Sequence, residues 1–355
     1  MKWWLFERRS GYDTRCMIRS PLLIIGCPRS GTTLLYNILS EVTALWTIGY
    51  ESKAIIERYH GPENKAWESG ELTAADLTDI SRDYILRQFE AQAAAGSYWR
   101  RVNDVRRFVN HNARYRSMKK RGRTVETGSE ISSALPGRGL ELFRVAVRLN
   151  NRLHSSNRSI RLLEKTPENC LRLPFLGALF PDARVIFLTR EGRANVHSLM
   201  EGWRHPHLFP GYRTPVPVTS PGLTRERWAF TLVPGWRDLV NSPLEEICAR
   251  QWVACNEAVL NYVGTPEALP VLTIRYEDLV AVPDTVLERI ADFAGLSVDE
   301  IPAYGQNLPE VNAVSTPGVD KWRAEGGAIN RIMPMILPVM RRLGYDERDF
   351  VNTAS

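Results

Sequence analysis

Residues 21–40 read PLLIIGCPRSGTTLLYNILS. An apolar run, Pro21 to Ile25, meets Gly26, then a short loop, then a helical pattern from Thr32. Strand, glycine-bounded loop and helix together build a phosphate cradle, because the loop amides and the helix N-terminus both point at the anion. Gly26 and Gly31 have the G-x-x-x-x-G spacing of a P-loop, which then requires Lys followed by Ser or Thr. Thr32 and Thr33 stand there instead, and Arg29 sits inside the loop. The loop therefore suits a phosphate-like anion but not ordinary ATP hydrolysis.

Downstream, apolar strand-like runs alternate with helical patterns. Residues 160–164 (IRLLE) precede a helical stretch from Pro167 to Phe180. Residues 184–189 (RVIFLT) precede a helix from about Arg193 to Trp203. Residues 270–275 (PVLTIR) precede one from about Asp284 to Phe293, stopped by Gly295. The alternation predicts an α/β fold, a central mainly parallel sheet with helices on both faces. Ligands bind such sheets at the strands' carboxyl ends, where the anion loop lies. Two regions break the alternation within what reads as a single domain, 1–355. Residues 53–157 are mostly helical in pattern and are predicted as a helical insertion covering the substrate side. Residues 204–224 are rich in Pro and Gly and are predicted as a lid or loop. The basic stretch Arg100–Arg123 reads more simply as a solvated helix face than as a recruiter of acidic substrate.

The chain has 355 residues, 44% of them hydrophobic, enough for a sizeable core. Its +6 charge suits an anionic ligand and makes no case for nucleic acid. Five cysteines are scattered without zinc spacing, so they read as reduced thiols of a cytoplasmic protein. Cys27, inside the anion loop, is a packing residue or a thiol of lowered pKa. No apolar run approaches the roughly 20 residues that span a bilayer. The apolar start Trp3–Phe6 is too short for a signal peptide and reads as an arm, or as a contact for a membrane or partner. The six histidines lack ligand spacing, and no metal is expected.

A second anion site follows the strand RVIFLT. Arg190 at its carboxyl end can fork onto a phosphate, and Ser198 in the next helix can donate to the same oxygens. With these two sites, the chain resembles the sulfotransferase family that uses 3′-phosphoadenosine 5′-phosphosulfate (PAPS). CPRSGTT resembles its 5′-phosphosulfate loop, and FPDARVIFLTREGRANVHSLM its 3′-phosphate segment. EKTPEN at Glu164–Asn169, RYEDLV at Arg275–Val280 and KW at Lys321–Trp322 follow in order. The branch with protein-tyrosine sulfotransferases and bacterial enzymes is nearest, through REGRANVHS.

The resemblance implies a P-loop-like sulfotransferase fold, with PAPS as donor and 3′-phosphoadenosine 5′-phosphate (PAP) as product. Arg29, Ser30, Gly31, Thr32 and Thr33 would hold the 5′-phosphosulfate, and Arg190 and Ser198 the 3′-phosphate. Tyr276 resembles a cofactor-contacting tyrosine, against a plain strand-end aromatic. Lys321 resembles a late basic residue closing over the cofactor, against a surface lysine beside a packed Trp322. Glu51 resembles the branch's catalytic base. Lys165 would face the leaving oxygen, Glu164 is the alternative base or a partner of Lys165, and Ser315 matches a sulfate-contacting serine. The branch places a further arginine one turn past the serine, where this chain has Gly202. The acceptor is a small molecule, glycan, lipid or peptide, and the oligomeric state is not legible. The competing readings are a P-loop kinase and an inactive nucleotide-binding scaffold.

Overall fold

The computed structural model describes residues 18–42, 44–49, 51–93, 160–301, 304, 308 and 321–345. Five parallel strands form the central sheet: β1 (Leu22–Ile25), β2 (Trp46–Thr47), β3 (Leu162–Lys165), β4 (Arg184–Thr189) and β7 (Val271–Arg275). Their order is β2-β3-β1-β4-β7. The first strand thus lies in the middle, and the chain leaves it to one side for β3 and to the other for β4. That reversal opens a crevice at the carboxyl end of β1, the position where open α/β sheets bind ligands.

Every residue of β1 is buried, which explains a continuous apolar run instead of an alternating one. Leu22 and Ile24 face a layer with α1 (Thr32–Leu39) and α8 (Pro283–Ala294). Leu23 and Ile25 face the larger core. That core takes in α4 (Leu173–Leu179), α5 (Gly192–Trp203), α6 (Leu244–Val263) and α9 (Gly326–Arg342). Each such buried side chain contributes roughly 1.5–3 kcal/mol of transfer free energy. The helices on both faces are as the sequence predicts, and α8 ends at Gly295 with φ 62°.

Two local readings differ, and two further helices stand where the sequence analysis assigns no element. The helix predicted over 167–180 divides into a 3₁₀ turn, Pro167–Leu171, and α4, because Arg172 leaves helical geometry and Pro174 lacks the N–H an unbroken helix needs. A short helix, α7 (Tyr276–Ala281), follows β7 directly. The predicted loop 204–224 carries a two-stranded hairpin, β5 (Val218–Ser220) and β6 (Leu223–Arg225). Its turn is Pro221–Gly222, with Gly222 at φ 76°. Finally, α9 runs through Pro334 and Pro338, carried by the buried stripe Ile329, Ile332, Ile336, Val339 and Met340.

In the predicted insertion, α2 (Lys53–His60) and a helix α3 over 79–93 place Ile55, Ile56, Ile85 and Phe89 in the main core. Residues 94–157, including the basic stretch, and the aromatic start Trp3–Phe6 lie outside the described residues.

Candidate active site

The loop after β1 is fixed by close approach. A Cβ on Gly26 would sit 2.4 Å from the Leu188 carbonyl oxygen, so only glycine lets β1 and β4 meet there. Gly31 has φ 99°, and a Cβ on it would strike the Tyr276 ring at 2.4 Å. Arg29 is left-handed at φ 70°. Gly31 is also the N-cap of α1, which has no side-chain cap and no acid in its first turn. Its leading amides are thus left for an anion.

The segment after β4 closes against this loop. Arg190 Nη1 donates to the Arg29 carbonyl at 2.9 Å, and Asn195 Nδ2 to the Pro28 carbonyl at 2.9 Å. Arg29 Nε reaches Ser198 Oγ at 3.3 Å. The two predicted anion sites therefore form one interlocked surface. Burial first, and the Arg190 charge second, hold the Arg29 guanidinium below its usual pKa. Like charges converge, while Ser30 Oγ and Arg190 Nε are buried without a hydrogen-bond partner. An anion carrying acceptor oxygens answers both conditions.

Tyr276 lies under this surface. Its ring packs against Gly31 and lies 4.8 Å from the Arg190 guanidinium carbon. Glu277 accepts from the Glu191 backbone N–H and from Tyr345 Oη, each at 3.0 Å, which fixes the turn carrying Arg190. Lys321 opens a 3₁₀ turn, Lys321–Glu325, held against α5 by Arg193 over Trp322 and by a bidentate Arg204–Glu325 pair. Trp322 is packed. Gly202 meets Phe230, where a Cβ would lie 2.3 Å from the ring, so no arginine fits there. Arg204, the nearest arginine, is engaged by Glu325.

On the other side of β1, the register pairs Ile24 with Lys165. Lys165 Nζ meets Glu51 Oε1 at 2.6 Å, with side-chain exposures of 8% and 42%. Glu164, the alternative base, is buried and engaged: Oε1 accepts from Ser52 Oγ and Thr166 Oγ1, and Oε2 from Asn169 Nδ2. Burial raises its pKa against those bonds. The residue is 1% exposed, and it anchors the Glu51 turn, since Ser52 N–H also donates to Thr166. Cys27 is 1% exposed, and burial pushes its thiol up, so the packing reading holds. Ser315 lies outside the described residues.

Sequence reading missed Asn195, Glu277 and Phe209. The first two lie inside the quoted motifs, yet nothing in their spacing marks them. Phe209 reaches Arg29 from the Pro-rich segment, 4.9 Å from guanidinium carbon to ring centre. Its role depends on a contact across 180 residues of chain.

The profile of the Sulfotransferase family matches residues 21–300 of this chain. The chain belongs to the sulfotransferase family. This membership sets aside the P-loop kinase reading. Protein-tyrosine sulfotransferase A of Caenorhabditis elegans is 22% identical over 236 residues, 62% of this chain and 52% of that protein. Protein-tyrosine sulfotransferase 2 of Gallus gallus is 23% identical over 206 residues, 52% of this chain and 46% of that protein. This sulfotransferase thus spans about half the length of the curated relatives it matches. A solved sulfotransferase from Alicyclobacillus acidocaldarius aligns with TM-score 0.42 and 14% identity, covering 92% of this chain and 97% of that one. The sulfotransferase domain from the curacin biosynthetic pathway aligns with TM-score 0.40 and 15% identity, covering 93% and 99%. Among the described residues, no helix is long and apolar enough to cross a membrane.

Proposed function

We propose that this sulfotransferase moves a sulfuryl group from PAPS to an acceptor hydroxyl or amine by in-line transfer. The observation that carries the reading is the interlock of Arg29 with Arg190, two converging cations beside buried polar atoms that have no protein partner. A nucleotide with separated 5′ and 3′ anionic groups fits both sites at once. Arg29, Ser30, Gly31, Thr32 and Thr33 hold its 5′ end, and Arg190 and Ser198 its 3′-phosphate. Tyr276 supports the seam between them, Lys321 closes over it, and Ser315 contacts the sulfate.

The donor supplies an activated sulfuryl group. Glu51 accepts the acceptor's proton, and its hydrogen bond from Lys165 Nζ at 2.6 Å orients the carboxylate. Lys165 directs positive charge at the oxygen that leaves with the 5′-phosphate. Glu164 holds both in place. The 53–157 region and the 204–224 segment carry acceptor choice, with Phe209 bordering Arg29. The matched relatives are named for protein tyrosine, so a tyrosine peptide is the first acceptor to try. Glycans, lipids and phenolic small molecules are the others. The described cysteines are free and buried, which supports a reducing, cytoplasmic setting.

The test is incubation of the purified chain with labelled PAPS and this acceptor panel, read by mass spectrometry. Label in an acceptor, with PAP released in equal amount, is the expected result. Tight PAP binding without any sulfated product would instead support the inactive scaffold. Absence of both sinks the proposal.

A further inference from the structure

Arg29 occupies a left-handed backbone conformation, φ 70°, that long side chains rarely adopt. The loop closes its own turn through Ser30 N–H to the Cys27 carbonyl at 3.1 Å, with Pro28 and Arg29 at its centre, and the orientation of the peptide between those two is what is held from outside. Two successive loop carbonyls, Pro28 and Arg29, accept hydrogen bonds, and both donors come from the segment after β4. One is Arg190. The other is Asn195, fully buried in α5, whose Oδ1 has no hydrogen-bond partner. A carbonyl acceptor on the loop fixes which way that amide faces, because only Nδ2 can donate.

We infer that Asn195 is a positioning residue: it pins the Pro28–Arg29 kink, so the segment that receives the 3′-phosphate also sets the shape of the 5′ site. This rests on the donor reading above. Arg190 divides its guanidinium between the loop and the 3′ anion. Asn195 touches neither anion and acts only through the Pro28 carbonyl. Without it, that acceptor loses its donor, and the Pro28–Arg29 peptide is free to rotate within a turn still closed by Ser30 N–H and the Cys27 carbonyl.

The experiment is calorimetric titration of the whole chain, wild type, Asn195→Ala and Asn195→Leu, with adenosine 5′-phosphate, adenosine 3′-phosphate and PAP. Both variants should bind adenosine 5′-phosphate and PAP about tenfold more weakly, the usual scale for a buried acceptor stripped of its donor. Adenosine 3′-phosphate should change less than about twofold. Equal loss for the two monophosphates indicates general damage to the fold and overturns the inference. Unchanged 5′-phosphate binding overturns it as well, while leaving the donor reading intact provided that wild type binds PAP. Wild type that binds no PAP overturns both. A second measurement needs no variant to fold. Adenosine 3′-phosphate added to wild type should slow amide hydrogen exchange across Arg29–Gly31, and an unchanged exchange rate there overturns the inference.

Discussion

Glu51 and Glu164 lie at the same end of the sheet in different surroundings. Glu51 is partly exposed with Lys165 as partner, whereas Glu164 already accepts three side-chain hydrogen bonds in the interior. Glu51→Gln should lower turnover about 10²–10⁴-fold, the range of a lost general base, with PAP affinity nearly unchanged. Glu164→Gln should keep most turnover. Its amide can retain an acceptor toward Ser52 and Thr166, and Asn169 can flip, since Asn169 Oδ1 has no partner. Single-turnover kinetics of both variants decide the assignment, and full turnover in Glu51→Gln rejects it. The carboxylates were legible in the sequence. Their different surroundings were not, because these depend on Ser52 crossing 112 residues of chain to meet Glu164.

The loop, α5 and the 3₁₀ turn at Lys321 behave as neighbouring elements with testable seams. Gly31→Ala adds a Cβ that strikes Tyr276 and demands a strained φ, so it should cost about 2–4 kcal/mol in unfolding experiments. Tyr276 acts through its ring. Tyr276→Phe should bind PAP like wild type, and Tyr276→Ala about tenfold more weakly. Equal losses in both would point to the hydroxyl instead. At the far end of α5, Arg204 donates to both oxygens of Glu325, and that hydrogen bonding holds the Glu325 carboxyl below its usual range. A depressed carboxyl pKa gives stability that is present above the unfolded value and lost as pH falls through the folded one. The melting difference between wild type and Glu325→Gln should therefore shrink below about pH 4. The difference is small throughout, because solvent screens this exposed pair.

Across the whole molecule, α2 is joined to the body by a buried charge. Arg172 is inaccessible to solvent, donates to Glu57 and to the Gly70 carbonyl, and Glu57 also accepts from Tyr212 Oη at 2.6 Å. Arg172→Met strands Glu57 and should cost about 3–5 kcal/mol, while Arg172→Met with Glu57→Leu should recover much of it. Chemical denaturation of both variants measures the difference. Tyr212 is part of the Pro-rich segment that reads as loop; its backbone pairs with Trp228, whose ring meets Trp203 and Trp236. No local pattern forecasts that anchoring, since its partners are dispersed along the chain. By itself the sequence determined the parallel α/β sheet, the glycine-bounded loop at Gly26–Thr33 and the family, and it singled out Arg190 and Ser198 as candidates for a second anion site. These are local: strand runs, glycine spacing and motif order act within a few residues of one another. The tertiary structure decided that the loop and the Arg190 segment share one surface, that Asn195 donates to the loop, that Glu51 pairs with Lys165, and that Glu164 is buried among Ser52, Thr166 and Asn169. Those outcomes come from side chains far apart in sequence, brought to one sheet edge when β1 takes its place between β3 and β4.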